Sequence, residues 1–252
     1  MMISVIIITK NEEQNIRACL ESVVWADEII VVDSGSSDNT VEICKNLGAQ
    51  VHVMDWPGYG PQKNRALNLA TGDWVLSLDA DERVSSELRS EIQSAVSSPG
   101  EAAAFLIPRS SSYCGRIMRH SGWWPDYVTR LFKRGHARFS DDLVHEHLVV
   151  EGKTAKLNQP LLHEAFRDLE QVLQKLNGYS SAGAAMLKQR GRKVTLASAI
   201  GHGLWTFIRT YFLRAGFLDG REGFMLAVSN AEGAYYRYLK AMLLREKQKP
   251  SL

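Results

Sequence analysis

The chain opens on a β-branched run, Ile3–Thr9, apolar at nearly every position, as in a strand buried on both faces. It gives way to residues 11–24, where Ile16, Cys19, Leu20, Val23 and Val24 recur at helical spacing. The alternation then repeats. Glu28–Asp33 is a short apolar strand, followed by a helix over residues 40–47 that Asp38 can cap and Gly48 can stop. Residues 51–54 form a third strand, and residues 61–70 a helix ended by Gly72. Residues 74–78 form a fourth strand, after which Ser85 or Ser86 caps a helix running to about Val96. Strand and helix in alternation predict a mostly parallel sheet covered by helices. Beyond Pro99-Gly100 the segments shorten: residues 103–107, 128–133, 137–139 and 144–150 read as strands of mixed direction. From about Ala165 the chain reads helical almost to its end.

Charge sharpens this division. Residues 1–152 carry 14 Lys/Arg against 21 Asp/Glu, a net of −7, whereas residues 153–252 carry 16 against 7, a net of +9. The basic back half predicts an anionic partner, either a membrane surface or a phosphorylated acceptor. No zinc-finger, helix-turn-helix or RNP-type motif accompanies the charge, so no nucleic-acid partner is expected. Cys19, Cys44 and Cys114 are widely spaced and odd in number. They fit neither a disulfide framework nor a zinc site; Cys19 and Cys44 fall on predicted helices as buried thiols, and a reducing compartment follows. Lys10-Asn11-Glu12-Glu13 follows the first apolar run without a small-residue cleavage site, so that run reads as a strand rather than a signal sequence. No segment reaches about 18 uninterrupted apolar residues, and no transmembrane helix is predicted.

In open parallel sheets, ligands sit at the carboxyl ends of the strands. Three predicted strand ends are polar here: Thr9-Lys10-Asn11, Asp33-Ser34-Gly35-Ser36 and Asp79-Ala80-Asp81. Two carboxylates two residues apart at a strand end can face one cleft and hold Mg²⁺ or Mn²⁺ together with substrate phosphates. The alternative is that Asp81-Glu82 merely caps a helix. Asp33 can accept hydrogen bonds from a base or ribose, while Asp38 is explained by capping alone. Lys63 and Arg65 lie near a helix start, where cations and free N–H groups suit a diphosphate, although a solvated helix face gives the same pattern. Arg130 fits a phosphate or donor-sugar contact, or a salt bridge within the sheet.

Taken together and in order, Thr9-Lys10-Asn11-Glu12, Asp33-Ser34-Gly35-Ser36-Ser37-Asp38-Asn39-Thr40, Lys63-Asn64-Arg65-Ala66 and Leu78-Asp79-Ala80-Asp81-Glu82 resemble family 2 glycosyltransferases. Trp123-Trp124-Pro125-Asp126-Tyr127, Arg130-Leu131-Phe132 and Val144-His145-Glu146 are similar to the lipopolysaccharide-core β-1,4-glucosyltransferase branch. The resemblance spans about residues 2–165. It implies a GT-A fold, an α/β Rossmann-like sheet flanked by helices, with a nucleotide-sugar donor and an inverting mechanism. By it, Asp33 contacts the base, Asp79 the ribose and Asp81 the metal. Thr9, Asn11, Glu12, Lys63, Arg65, Ala80 and Arg130 line the donor pocket. An inverting transfer needs a general base. The resemblance favours Glu146, with His145 as the alternative, since strand neighbours point to opposite faces. The Gln-x-x-Arg-Trp segment of processive relatives is absent, which favours addition of a single sugar.

The resulting expectation is a catalytic domain over residues 1–165 and a basic amphipathic helical extension over 166–252. The activity expected is metal-dependent transfer of a hexose, glucose from UDP-glucose, to a lipid-linked lipopolysaccharide inner-core acceptor. Residues 196–218 are rich in apolar and aromatic side chains but interrupted by His202, Arg209 and Arg214. Arginine at mid-span makes crossing a bilayer costly, so an interfacial helix on the cytoplasmic face of the inner membrane is expected. Docking of these helices onto the catalytic domain or a second subunit is the alternative. A polyprenyl-phosphate glycosyltransferase and a non-catalytic membrane scaffold are the rival functions. A nucleotidyltransferase is disfavoured because its Gly- and Arg-rich first loop is replaced by Thr9-Lys10-Asn11-Glu12.

Overall fold

A computed structural model describes residues 1–140 and 147–246. The chain separates into two compact units, residues 1–109 with 126–163, and residues 110–125 with 164–252. The first unit begins with β1 (Ile3–Thr9), α1 (Ile16–Glu21), β2 (Glu28–Asp33), α2 (Thr40–Asn46), β3 (Gln50–Val53), α3 (Tyr59–Leu69) and β4 (Trp74–Asp79). It continues through β5 (Glu82–Val84), α4 (Ser86–Ser97), β6 (Ala102–Tyr113), β7 (Arg116–Ile117), β8 (Asp126–Lys133), β9 (Ala137–Phe139), β10 (Leu148–Val150), β11 (Lys153–Lys156) and β12 (Leu161–Phe166). β7 and the ends of β6 and β12 belong to the second unit.

The main sheet runs β3-β2-β1-β4-β8-β6-β12-β5. β1 to β4 are mutually parallel where they pair, and β8 turns antiparallel against β4 and β6. The α/β GT-A expectation holds: a mostly parallel sheet flanked by helices, with a helical C-terminal region. The alternation of strand side chains explains the two cores. Ile3, Val5 and Ile7 of β1 join Ile16, Cys19 and Leu20 on one face. Ile6 joins Ile30, Val32, Ala66 and Phe132 on the other. Complete burial of each such side chain contributes roughly 1.5–3 kcal/mol, so a β1 apolar on both faces ties both layers to the strand that carries Thr9. Cys19 and Cys44 are buried free thiols, and burial pushes the Cys44 thiol up to about 12.

Several elements differ from the sequence expectation. Helix α1 is limited to six residues because residues 11–15 form a loop with Asn11 in the left-handed region, φ 55°. Asn39 rather than Asp38 occupies the cap position of α2, although Asp38 still accepts from the Thr40 N–H at 3.1 Å. Ser85 caps α4 as expected, accepting from the Leu88 N–H at 3.2 Å. Asp81-Glu82 caps no helix: Glu82 starts β5.

The second unit contains α5 (Leu169–Gln189), α6 (Leu196–Ile208) and α7 (Gly220–Glu246). The run expected as one helix over residues 196–218 is broken. After α6 the chain makes a π-helical turn over Arg209–Leu213, then Ala215 enters the left-handed region at φ 52°, and a 3₁₀ turn follows over Gly216–Asp219. Gly216 allows the turn to fold back, because a Cβ there would meet the Thr210 carbonyl at 2.7 Å. Among the described residues no helix is long and apolar enough to cross a membrane.

Candidate functional site

Register brings the three polar strand ends together. Thr9 stands opposite Asp33 across β1 and β2, and Ile8 opposite Asp79 across β1 and β4. At the β2 end the Asp33 carboxylate is buried. It accepts from Thr9 Oγ1 at 2.9 Å, the Gly35 N–H at 2.9 Å, the Ser36 N–H at 2.7 Å and Ser36 Oγ at 2.5 Å. The carboxylate therefore folds the turn around itself, which Gly35 permits at φ 78°. Lys10 lies over this turn and donates to the Ser34 and Gly35 carbonyls. Asn11 Oδ1 accepts from the Ser37 N–H at 2.8 Å, and the Glu12 N–H donates to Thr40 Oγ1 at 2.8 Å. The two βα loops expected to line a nucleotide pocket are thus cross-tied into one surface.

Helix α3 approaches these ends with a polar face. Buried Gln62 donates to Ser34 Oγ at 3.1 Å, and buried Lys63 places Nζ 3.0 Å from Asp79 Oδ1. Lys63 is therefore no solvated helix cation, since its charge is spent on Asp79. Arg65 pairs with Asp55 at 3.0 Å. Asn64 exchanges two hydrogen bonds, at 2.9 and 3.0 Å, with the backbone of Phe139 and so fixes β9 against α3.

Arg130, on β8, is buried and contacts both Asp79 and Glu82, the latter at 2.6 Å. Glu82 is fully buried. It also accepts from the Asp79 N–H at 3.0 Å and lies 3.6 Å from Arg109, which itself holds Asp126 at 2.6 Å. Desolvation works against both carboxylates, but Arg130 and Lys63 override it at Asp79 and hold that carboxyl well below the usual carboxylate range. At Glu82 burial prevails over Arg130, with Asp79 adding repulsion, and the carboxyl moves up. Arg130 is itself raised: burial would lower it, but Asp79 and Glu82 more than compensate. The Arg130 Nε–H is buried without a hydrogen-bond partner among the described residues. The salt-bridge reading of Arg130 thus describes its contacts here.

Asp81 stands apart from this network. Its ion-pair partner among the described residues is His163, with Nε2 3.5 Å from Oδ2. His163 arrives on β12, which pairs with β5 so that His163 faces Glu82 in register. An oxygen and a nitrogen donor at that separation lie within the span of two ligands of one cation, roughly 3–4 Å for bonds of about 2.1 Å. Asp81 and His163 therefore fit a divalent ion. No cluster of three or more potential ligands occurs among the described residues.

Sequence reasoning did not find His163, Glu82, Arg109 or Gln62. His163 lies 82 positions after Asp81 on a strand that the pattern did not reveal. Its only local signal is the short run Leu161–Phe166 after Asn158-Gln159-Pro160. Glu146 and His145, the expected base and its alternative, lie outside the described residues, as do Asp141 and Asp142. The flanking residues are held together: the Ser140 N–H donates to the His147 carbonyl at 2.9 Å.

This architecture, with its acidic strand ends, is that of a nucleotide-sugar transferase. The sequence model of Glycosyl transferase family 2 matches residues 4–148, more than half of the chain. The chain belongs to glycosyl transferase family 2. It is 32% identical to the lipopolysaccharide core biosynthesis glycosyltransferase LpsC of Rhizobium meliloti, over 95% of this chain and 90% of that one. It is 35% identical to an uncharacterized glycosyltransferase of Rickettsia prowazekii, over 97% of this chain and 87% of that protein. Among solved structures, residues 1–349 of S. aureus TarS superpose with a TM-score of 0.50 at 16% identity, covering 100% of this chain and 93% of that one. That likeness concerns the fold alone.

Proposed function

We propose that this glycosyltransferase performs inverting, metal-dependent, non-processive transfer of a hexose, glucose from UDP-glucose, to a sugar hydroxyl of a lipopolysaccharide inner-core acceptor. The observation that carries the reading is the pair Asp81–His163, which sets an oxygen and a nitrogen donor 3.5 Å apart just beyond the end of β4. The similarity to LpsC along nearly the whole chain supports the acceptor class.

In this reading the cross-tied loops at Thr9, Asn11, Glu12 and Asp33 form the seat of the nucleoside. Asp79 is kept ionised by Lys63 and Arg130 and accepts from the ribose through the part of its carboxylate that remains exposed. Arg65 and the α3 face border the donor. Asp81 and His163 would hold a Mg²⁺ or Mn²⁺ ion, which would supply positive charge for the departing diphosphate. Glu146 takes the proton of the acceptor hydroxyl, an assignment that rests on the family resemblance.

A membrane-borne acceptor accords with the surface of the helical unit. Trp205, Phe212 and Leu213 are each more than half exposed, beside exposed Arg209 and Arg214. An apolar row flanked by arginines suits the interface of an anionic bilayer on the cytoplasmic face of the inner membrane.

The test is transfer of label from UDP-glucose to a truncated, lipid-A-anchored inner-core oligosaccharide, run beside polyprenyl phosphate. The inner-core acceptor is expected to gain the label, and Glu146→Gln to lower kcat by about 10²–10⁴-fold. A phosphate nucleophile needs no general base, so label on polyprenyl phosphate alone, insensitive to Glu146→Gln, would overturn the acceptor assignment.

A further inference from the structure

The helical unit contains a cavity of about 380 Å³, within the range of small-ligand sites. Its apolar side is aromatic. Tyr113 is fully buried, with its ring centroid 6.0 Å from that of Trp123 and 5.8 Å from that of Phe166. The Tyr113 hydroxyl meets Ser229 Oγ at 3.1 Å, and Thr206, Thr210 and Asn230 add polar atoms to the wall. The charged lining is of one sign: Lys175, Arg209, Arg214 and Arg237, with no carboxylate among the lining residues. Lys175 is engaged, donating to the Ala165 carbonyl at 3.2 Å and sitting 4.9 Å from the Phe166 ring centroid. The three arginines have no ion-pair partner among the described residues.

Two glycines make room for two of these side chains. A Cβ at Gly183 would stand 2.8 Å from Arg237 Nε, and one at Gly122 would stand 2.5 Å from Arg214 Nη1. Like charges gathered on one cavity repel, and no ion pair among the described residues offsets the three arginines. A guanidinium fork matches phosphate oxygens, and an aromatic wall accepts the C–H face of a sugar ring.

We infer that this cavity binds a phosphomonoester carried on a saccharide, the chemistry of a phosphorylated sugar of the acceptor. The acceptor role rests on the proposed transfer reaction, whereas the binding itself does not. The cavity is too small for a lipid and its chains, so the same arginines acting only on bilayer headgroups are a different outcome.

The test is calorimetric and thermal-shift titration of the full chain with mannose 6-phosphate and with mannose, at constant ionic strength set by chloride. UDP with Mn²⁺ is titrated in parallel as an independent reading of the donor site. Mannose 6-phosphate is expected to stabilise the wild-type protein and mannose is not. Arg209→Gln and Arg237→Gln are each expected to weaken mannose 6-phosphate at least about tenfold while leaving UDP binding unchanged. Gly183→Ala keeps every charge and raises helix propensity, so it tests placement separately from folding. It is expected to weaken the phosphosugar by displacing Arg237. Equal affinity in wild type and all three variants would overturn the inference. So would loss of binding to phosphatidylglycerol vesicles in the arginine variants without any response to the phosphosugar. If UDP fails to bind while the phosphosugar succeeds, the donor reading and the acceptor role fall together, and the phosphosugar site stands.

Discussion

Arg130 inserts one guanidinium between Asp79 and Glu82 in the first unit, and a half-buried and a fully buried carboxylate depend on it. Arg130→Met should destabilise the protein by about 3–5 kcal/mol, because both carboxylates lose a desolvated partner. Denaturant unfolding checks this, and a change under about 1 kcal/mol would show that the network is dispensable. The two carboxylates also carry opposite pH signatures. Asp79 is depressed in the folded state. The stability it contributes is present above its unfolded pKa near 4 and is lost as pH falls through the folded value. Glu82 is raised, so its contribution is full below its unfolded pKa and is lost as pH rises through the folded value. Asp79→Asn should therefore flatten the loss of stability on acidification, and Glu82→Gln should steepen it. Urea midpoints between pH 3 and 7 measure both slopes, and slopes moving in the same direction would contradict the assignment. Asp33 differs from both, because its four hydrogen bonds shape a turn. The sequence placed Asp33 at a strand end facing ligand; that it also folds its own loop depends on Ser36 and Thr9 turning inward, which spacing alone does not show.

Among elements, Gly223 is the tightest point. It lies in α7 where the helix passes the Gly216–Asp219 turn, and a Cβ there would stand 1.9 Å from the Gly216 carbonyl oxygen. Backbone cannot yield as a flexible side chain can, so Gly223→Ala should cost about 3 kcal/mol or more. Thermal unfolding of the variant measures this, and an unchanged Tm would mean that the turn gives way. Asp219, at the end of the same turn, accepts from the Arg119 and His120 N–H groups and from Ser121 Oγ. These contacts mark what the pattern of the chain did and did not reveal. β1, β2 and β4 were legible because their apolar runs are nearly continuous, and β3 because Val51 and Val53 alternate with polar neighbours; each is followed by a helical period. β5, β7, β11 and β12 are short strands whose side chains alternate weakly, and their existence depends on partners far away in sequence. β12 carries His163, so half of the Asp81–His163 pair was hidden with it. The break after Leu213 was hidden for a related reason: the apolar period continues through residues 214–218, while Ala215 enters the left-handed region to meet a tertiary constraint.

For the whole chain, the acidic front and basic back seen in the composition correspond to different surfaces. The first unit sets Asp33, Asp79 and Asp81 at strand ends, and the second exposes arginines beside aromatic side chains. If that surface meets a bilayer, binding to anionic vesicles should weaken with salt, since each juxtamembrane cation contributes about 1 kcal/mol. Trp205→Glu should abolish vesicle sedimentation without lowering Tm, because Trp205 is half exposed in the folded protein. Retention of Trp205→Glu on vesicles would move the contact elsewhere.

The central claim is a donor site completed by a cation at Asp81 and His163. Its most direct test is a thermal-shift titration with UDP and UDP-glucose, with and without Mn²⁺, in wild type, Asp81→Ala and His163→Ala. Ligands that bind only the folded state raise its apparent stability by mass action, about 2.7 kcal/mol at a hundredfold excess over Kd. The account predicts stabilisation of the wild type that requires Mn²⁺, its disappearance in Asp81→Ala and a clear reduction in His163→Ala. Stabilisation by UDP that is indifferent to the metal, or that survives unchanged in Asp81→Ala, would contradict it.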